Sequence, residues 1–257
     1  MSEANAWQQL FPSGSPPSAR WLHTAVWGSS RLYIFAGESI NGISRVNDLY
    51  SYGGQADNTW QLLNATGSAP SPRVQHSAAW NPDGRMYIFG GLEDQTDSRL
   101  NDLHYYDTQA NSWNLVSPSG SPPAGRRYSH AVWNSDGFMY IYGGMDGSDN
   151  YLDDLHYFDS QGNSWHQLSP GGSLPGIQAN GGIFWSSAES RMYIFAGVGQ
   201  NTDMHYYDEG NNSWTAVSPT GTPPSSRSLD KACPFRPSKY TNFVSESLAK
   251  AKENRAS

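Results

Sequence analysis

The sequence has 257 residues, a net charge of −7 and a charged fraction of 15%, and it contains no run rich in lysine or arginine. This charge balance argues against a nucleic-acid partner or an anionic membrane surface. Aromatic residues reach 13%, with ten tryptophans, so the chain can build a core although its charge is low.

Cysteine content and the N-terminus restrict the class of protein further. The single cysteine, Cys233, excludes an intrachain disulfide and a cysteine-based zinc cluster. The first residues lack a basic stretch followed by an apolar one, and no apolar span has the length of a transmembrane helix. We therefore expect a cytoplasmic protein that contacts neither nucleic acid nor membrane.

The chain opens with the phrase AWQQLFPSGSPPSAR, which returns four more times in altered form. Each copy predicts a short strand followed by a loop, where proline fixes φ and glycine adopts unusual angles. The tryptophans of the phrase are spaced by 53, 53, 52 and 49 residues. They are Trp7, Trp60, Trp113, Trp165 and Trp214.

A second strand pattern follows each of the first four phrases and ends in tryptophan; three copies begin with arginine, and the fourth has Gln178 there instead. Its copies are RWLHTAVW (20–27), RVQHSAAW (73–80), RRYSHAVW (126–133) and QANGGIFW (178–185). A tight polar turn such as NPDG (81–84) comes next and predicts a hairpin.

The most regular pattern is the run YIFGG or a close variant of it. Its apolar, aromatic and β-branched residues predict a strand buried on both faces. The small residues that close it allow a turn or a close backbone approach. The tyrosines are Tyr33, Tyr87, Tyr140 and Tyr193, and the glycines are Gly37, Gly90, Gly91, Gly143, Gly144 and Gly197.

A third strand, of the type NDLHYYD, completes the unit and leads through an Asp-x-x-x-Asn turn to the next tryptophan. The loops before it are where the copies differ most in length and content. A period near 50 residues with four short strands predicts one small sheet per repeat, stacked on its neighbours. The units cover about 18–63, 71–116, 124–168 and 176–217 within a repeat domain of residues 1–230. Residues 231–257 form a non-repeating tail, partly helical or disordered.

The order Arg-x-x-His, Tyr-Ile-Phe-Gly-Gly, Asp-Leu-x-x-Tyr-Asp and Asn-x-Trp is similar to the kelch repeat. The resemblance covers residues 7 to about 227 and implies an all-β, kelch-type β-propeller of four complete blades. The strand at Trp7–Leu10 is then an orphan, and its partner strands are missing after residue 231. Three explanations stay open: a piece of a six- or seven-bladed protein, a four- or five-bladed ring, or assembly with a second copy. The unpaired edge would allow self-association.

Arginines and histidines on the second strand pattern are the candidate binding residues. In kelch-type ubiquitin-ligase adaptors this strand is innermost, and arginines at its start bind an acidic peptide at the channel mouth. The resemblance therefore implies a partner-binding set, whose guanidinium groups would read carboxylates or phosphates. The alternative is that the arginines pair with Asp48, Asp102 and Asp154 and hold the blades in register. The candidate set is Arg20, Arg73, Arg126, Arg127, His23, His76 and His130.

Other groups of histidine and acidic residues point less clearly to a metal or catalytic site. Histidines on the third strand (His104, His156 and His205) are expected at half-exposed strand positions, too far apart to share a metal. Iron-dependent kelch specifier proteins carry a Glu-x-x-x-Asp-x-x-x-His triad, and the nearest match, Glu93 and Asp97, ends in Asn101 instead of histidine. We therefore expect no catalytic residue, metal or cofactor.

The sequence thus predicts a non-catalytic interaction module, a scaffold or adaptor. It would bind an acidic or hydroxyl-bearing protein segment through its loops and the arginines at one end of the propeller. The alternative is a kelch-type enzyme or specifier protein with a metal or small-molecule site at the channel mouth. Stoichiometric iron or copper in the purified protein would favour that alternative.

Overall fold

The computed structural model describes residues 9–40, 44–176, 179, 181–195 and 203–218, which form four mostly antiparallel sheets in chain order. None of the helical segments in these ranges has the length and apolar character needed to cross a bilayer. The predicted tail, Gly197 and Trp7 lie outside the described residues. Of the predicted orphan strand, Gln9 and Leu10 are described and are not in a strand.

The first two sheets have the same strand content. Sheet 1 contains β1 (Ser13–Gly14), β2 (Arg20–Trp21), β3 (Thr24–Gly28), β4 (Arg31–Ser39), β5 (Arg45–Tyr52) and β6 (Thr59–Leu62), with the one-turn helix α1 (Gly54–Asp57) before β6. Sheet 2 contains β7 (Thr66–Gly67), β8 (Arg73–Val74), β9 (Ser77–Asn81), β10 (Arg85–Glu93), β11 (Arg99–Asp107) and β12 (Ser112–Val116).

The last two sheets repeat this plan, with no two-residue strand like β2 or β8 among their described residues. Sheet 3 contains β13 (Ser119–Gly120), β14 (His130–Trp133), β15 (Phe138–Met145), β16 (Tyr151–Asp159) and β17 (Ser164–Leu168). Sheet 4 contains β18 (Gly171–Gly172), β19 (Gly182–Ser186), β20 (Arg191–Phe195), β21 (Met204–Asp208) and β22 (Ser213–Val217). The architecture predicted from the repeats, stacked four-stranded blades of a kelch-type propeller, is confirmed.

Within each sheet the first strand lies at one edge and the tryptophan strand lies near the other. The first strands of neighbouring sheets lie next to each other and line a shared groove of about 560 Å³. At the outer edge, a two-residue strand from the preceding proline-glycine loop pairs in parallel with the tryptophan strand. Thr66 and Gly67, for example, pair with Ser112 and Trp113. These parallel strands tie successive sheets together, and the sequence did not predict them.

The core lies between the sheets. Along β10, Met86 and Ile88 pack toward sheet 1, whereas Tyr87 and Phe89 pack toward sheet 3. Because side chains alternate along a strand, one five-residue run supplies two interfaces. The strand is therefore buried on both faces, as its sequence predicts.

One aromatic contact recurs at each of the three interfaces between the described sheets. The second ring of the YIFGG-type run meets the tryptophan of the following sheet, with centroids 4.8 to 5.4 Å apart. The pairs are Phe35–Trp113 at 4.8 Å, Phe89–Trp165 at 5.4 Å and Tyr142–Trp214 at 5.2 Å. The three tryptophans are fully buried, whereas Trp60 of sheet 1 is half-buried.

The glycine pairs do not end the YIFGG-type strand, in contrast to the sequence prediction. The strand continues to Ser39, Glu93 and Met145 in the first three sheets, and a β-bulge occurs at the glycines. At Gly91 φ is +102°, and an added Cβ would lie 2.8 Å from the carbonyl oxygen of Val74. The glycine is needed because the first strand approaches it at this point.

Replacing Gly91 with alanine is therefore expected to lower the free energy of unfolding by about 2 kcal/mol or more. The cost combines left-handed strain with a backbone clash. Urea unfolding measures it. Gly147→Ala is the matched control, because nothing lies within 4 Å of an added Cβ there, and a change of no more than about 0.5 kcal/mol is expected. Equal effects of the two substitutions would contradict this account of the bulge.

Candidate functional site

The end of the stack at which the first strands begin also carries the loops that follow the glycine pairs. We call it the loop rim and define it as residues 20–21, 38–40, 44–45, 73–74, 93–99, 126–127 and 145–153. Two described connections within it run between consecutive long strands, at 94–98 and 146–150, and both are five residues long and acidic. In the first repeat the sequence of segment 40–44 is uncharged. The predicted variation of these loops in length and content stays a prediction, because residues 41–43 and 196–202 lie outside the described residues.

Three predicted binding arginines lie beneath the loops and are buried. The side chains of Arg20, Arg73 and Arg126 are 3%, 1% and 0% exposed. Each points its guanidinium group at an aspartate of the third strand in the same sheet. The pairs are Arg20–Asp48 at 2.5 Å, Arg73–Asp102 at 2.7 Å and Arg126–Asp154 at 2.6 Å.

The guanidinium group of each arginine is hydrogen-bonded to partners within the protein. Arg73 donates to both carboxylate oxygens of Asp102 at 2.7 and 2.8 Å, and to the carbonyl oxygen of Gly90 at 3.0 Å. Arg126 does the same with Asp154 and Gly143. Pairing with these aspartates is the alternative that the sequence left open. It fixes the bulge and the third strand relative to the first strand, and the partner-binding role of the arginines stays a prediction.

Histidines of the third strand extend two of these pairs. The Nε2 atoms of His104 and His156 each lie 2.9 Å from the Oδ2 atom of Asp102 and Asp154, respectively. Both rings are buried, so the prediction of half-exposed positions is wrong. Burial alone would raise the pKa of both carboxyls, but hydrogen bonds from histidine and arginine hold it well below its usual range. In sheet 1 a tyrosine, Tyr50, takes the position of the histidine, and the Arg20 guanidinium lies 5.4 Å from its ring centroid.

A second set of arginines bridges neighbouring sheets at the surface of the loop rim. Arg45 donates to the carbonyl oxygen of Glu93 and pairs with Asp97 at 2.8 Å. Arg99 and Arg127 both pair with Asp149, at 2.5 and 3.0 Å. The Arg45–Asp97 and Arg99–Asp149 pairs hold the loops of sheets 2 and 3 against the preceding sheet, whereas the Arg127–Asp149 pair lies within sheet 3.

The charge of the loop rim is acidic. Apart from the buried arginine–aspartate pairs, it carries three arginines against seven carboxylates. The arginines are Arg45, Arg99 and Arg127, and the carboxylates are Glu38, Glu93, Asp94, Asp97, Asp146, Asp149 and Asp153. Asp94 and Asp153 are exposed. A surface of this kind attracts cationic groups.

Below the loop rim the first strand is kinked in three sheets. Leu22, Gln75 and Tyr128 have φ of 57°, 59° and 59°. The kinks are hydrogen-bonded to each other: Gln75 N–H donates to the Leu22 carbonyl at 3.2 Å, and Tyr128 N–H donates to the Gln75 carbonyl at 2.8 Å. They line a pocket of about 190 Å³. Nothing in the sequence marks these residues, because none of them is a glycine.

The position of the kink shows which histidines of the first strand are equivalent in the three sheets. His23 and His76 follow it directly, whereas His130 lies one residue further on and corresponds to Thr24 and Ser77. His23 is exposed; His76 is buried between sheets 1 and 2, with its Nε2 atom 2.6 Å from Thr24 Oγ1. Burial lowers the pKa of His76 to about 3, with the nearby Arg73 adding to the effect, and burial lowers that of His130 to about 4. Both rings are neutral at pH 7.

Because these two histidines are neutral in the folded protein, we expect its free energy of unfolding to fall in acid. In the unfolded chain each histidine has its ordinary pKa of about 6.5. Below that pH the unfolded chain therefore binds protons at these histidines that the folded chain does not bind. Stability should therefore fall from about pH 6.5 toward the lowered values, by on the order of 2 kcal/mol per histidine between pH 7.5 and pH 5. Urea unfolding at those two pH values measures the loss. His23 and His205, whose pKa values burial also lowers, add to this loss. His76→Gln should reduce it by about 2 kcal/mol, and an unchanged loss would contradict the assignment; Asp102 and Asp154 stay ionised in this window.

The described residues contain no group of three or more histidine, cysteine, aspartate or glutamate side chains placed to hold a metal ion. The near-match to the specifier triad has internal partners. Glu93 accepts from Thr96 at 2.6 Å, Asp97 pairs with Arg45, and Asn101 donates to the Pro123 carbonyl at 3.4 Å. The three side chains thus support the loop rim and its neighbouring strands.

Comparison with known proteins agrees with this geometry. A family model described as the KLHDC2/KLHL20/DRC7 Kelch-repeats domain matches residues 2–197. Kelch domain-containing protein 3 of Homo sapiens is 28% identical over 190 residues, which cover 70% of this chain and 48% of that protein. The leucine-zipper-like transcriptional regulator 1 homolog of Drosophila melanogaster is 28% identical over 208 residues, covering 76% of this chain and 20% of that protein. The chain spans less than half the length of either relative.

Proposed function

The chain belongs to the kelch-repeat family, whose members are typically protein-interaction modules, and on that premise we propose that it binds a protein partner through the loop rim. The proposal is supported by a difference between the strands, whose contacts repeat from sheet to sheet, and the loops, whose sequences vary. The arginine–aspartate pairs repeat in three sheets and hold the loops at fixed positions, while the loop sequences differ. Varied loops on a rigid repeated frame are the usual means of recognition in repeat proteins.

We infer further that the partner presents cationic groups. The acidic or hydroxyl-bearing segment predicted from the sequence required arginines that are free at the channel mouth. Arg20, Arg73 and Arg126 instead have aspartate partners inside the protein, and the surface above them carries an excess of carboxylates. The observation that carries the proposal is this excess, with Asp94 and Asp153 exposed on neighbouring sheets.

A random peptide library displayed on phage tests the proposal with the purified chain as bait. Enriched peptides should be rich in lysine and arginine. Their affinity should fall by at least about tenfold in the double variant Asp94→Lys, Asp153→Lys, and should weaken as salt is raised.

The matched control makes the same change of charge at the opposite end of the stack. Asp136 and Glu189 lie in exposed hairpin turns there, and Asp136→Lys with Glu189→Lys should leave affinity within about twofold. Enrichment of acidic peptides would restore the original prediction of an arginine-lined site. Equal loss in both double variants would mean that net charge, and not the loop rim, determines binding.

A further inference from the structure

Among the described residues, the two outer faces of the stack have the same residue types as the two halves of its internal interface, and no described sheet covers them. At each of the three internal interfaces described above, a front face meets the rear face of the next sheet. The front face of sheet 4 and the rear face of sheet 1 have no described sheet against them. Both carry the residue types that are buried elsewhere in the stack.

On the rear face of sheet 1, Leu32 and Ile34 occupy the positions of Met86 and Ile88 in sheet 2. The counterparts in sheets 2, 3 and 4 are no more than 1% exposed, whereas Leu32 and Ile34 are only half-buried. At the end of the first strand, Trp27 is 58% exposed, although its counterpart in sheet 3, Trp133, is 6% exposed.

On the front face of sheet 4 the same difference appears. Tyr193 and Phe195 occupy the positions of Tyr87 and Phe89, which are 3% and 1% exposed, yet both are half-buried. Phe184 stacks on Tyr193 with ring centroids 4.9 Å apart, and it is 49% exposed. Contiguous exposed apolar surface of this kind marks an interaction site.

We propose that the front face of sheet 4 docks onto the rear face of sheet 1 of a second copy of this chain. The proposed contact continues an existing interface: the chain builds this pairing three times internally, and the described part of each copy has one further face of each kind. The resulting contact is heterologous, so it leads to a closed ring or to a growing chain of copies. It differs from pairing through an unpaired strand edge, because the faces and not the backbone edges meet. It also leaves the loop rim free.

Sedimentation equilibrium of the full chain over a hundredfold range of concentration tests the proposal. The unmodified chain should self-associate. Trp27→Glu blocks the rear face of sheet 1, and Phe184→Glu blocks the front face of sheet 4. Each variant alone should have a dissociation constant raised by at least about tenfold, because each places a charge in the centre of an apolar contact.

Mixing the two variants gives the sharpest result, since each retains one intact face. An equimolar mixture should form a dimer that grows no further. The control Leu115→Glu, at a 55% exposed position on the tryptophan strand of the internal sheet 2, should associate like the unmodified chain. A monomeric unmodified chain, association of either variant on its own with the affinity of the unmodified chain, or a mixture that associates no better than the separate variants would each overturn the proposal.

Discussion

Replacing Trp165 with alanine is expected to lower the free energy of unfolding by about 3–5 kcal/mol. This side chain is 3% exposed and lies between two sheets, with Phe89 on one side and Phe158 of its own sheet on the other, each ring centroid 5.4 Å away. Truncation removes both contacts and leaves a cavity that the stacked sheets cannot close. Urea-induced unfolding followed by circular dichroism measures the change.

The matched control is Trp27→Ala, the same substitution at a tryptophan that is 58% exposed. It should cost no more than about 1 kcal/mol in the monomer, because most of that ring faces solvent. Similar losses at the two positions would mean that the tryptophans do not form a core between the sheets.

Removing one partner of the buried pair at the loop rim is expected to have the second large effect. Arg126→Met leaves the Asp154 carboxylate largely buried without its guanidinium, and the Gly143 carbonyl without its donor. Asp154 then keeps only its hydrogen bond with His156, and we expect a loss of about 3 kcal/mol, since removing one partner of a buried ion pair is costly. Thermal and urea unfolding measure it.

The double variant Arg126→Met, Asp154→Leu should lose less than the sum of the two single variants, because it removes both charges together. Arg85→Met is the control: Arg85 is 38% exposed and pairs with Asp83 at 3.0 Å, and its loss should cost no more than about 1 kcal/mol. Additive effects of Arg126 and Asp154 would contradict a shared, buried pair.

The strands and their order within each sheet could be predicted from the sequence, because they depend on local patterns. Alternation along RMYIFGG fixes which side chains face each neighbouring sheet, and the repeat period fixes the number of strands per sheet. Even the pairing of Arg20 with Asp48 could be named in advance as an alternative, since both residues recur at fixed positions in the unit.

The rest depends on contacts between units, which local patterns do not encode. The kinks at Gln75 and Tyr128 align Ser129, and not His130, with His76, and a backbone hydrogen bond from Tyr128 to Gln75 in the preceding sheet joins them. The parallel strand at Thr66–Gly67 exists only because the next tryptophan strand passes beside it. The burial of the third-strand histidines could not be predicted, because it depends on distant contacts such as that between His104 Nδ1 and the Ser68 carbonyl oxygen at 3.2 Å. Their aspartate partners, by contrast, lie only two residues away on the same strand.

Consecutive sheets shield one another through the same aromatic contact. Nuclear Overhauser effects between ring protons of the full chain test it most directly, with phenylalanine, tyrosine and tryptophan labelled selectively. We predict cross-peaks for Phe35–Trp113, Phe89–Trp165 and Tyr142–Trp214, the three pairs that join different sheets. Cross-peaks within a sheet, such as Phe158–Trp165, without those three would contradict the stacked arrangement.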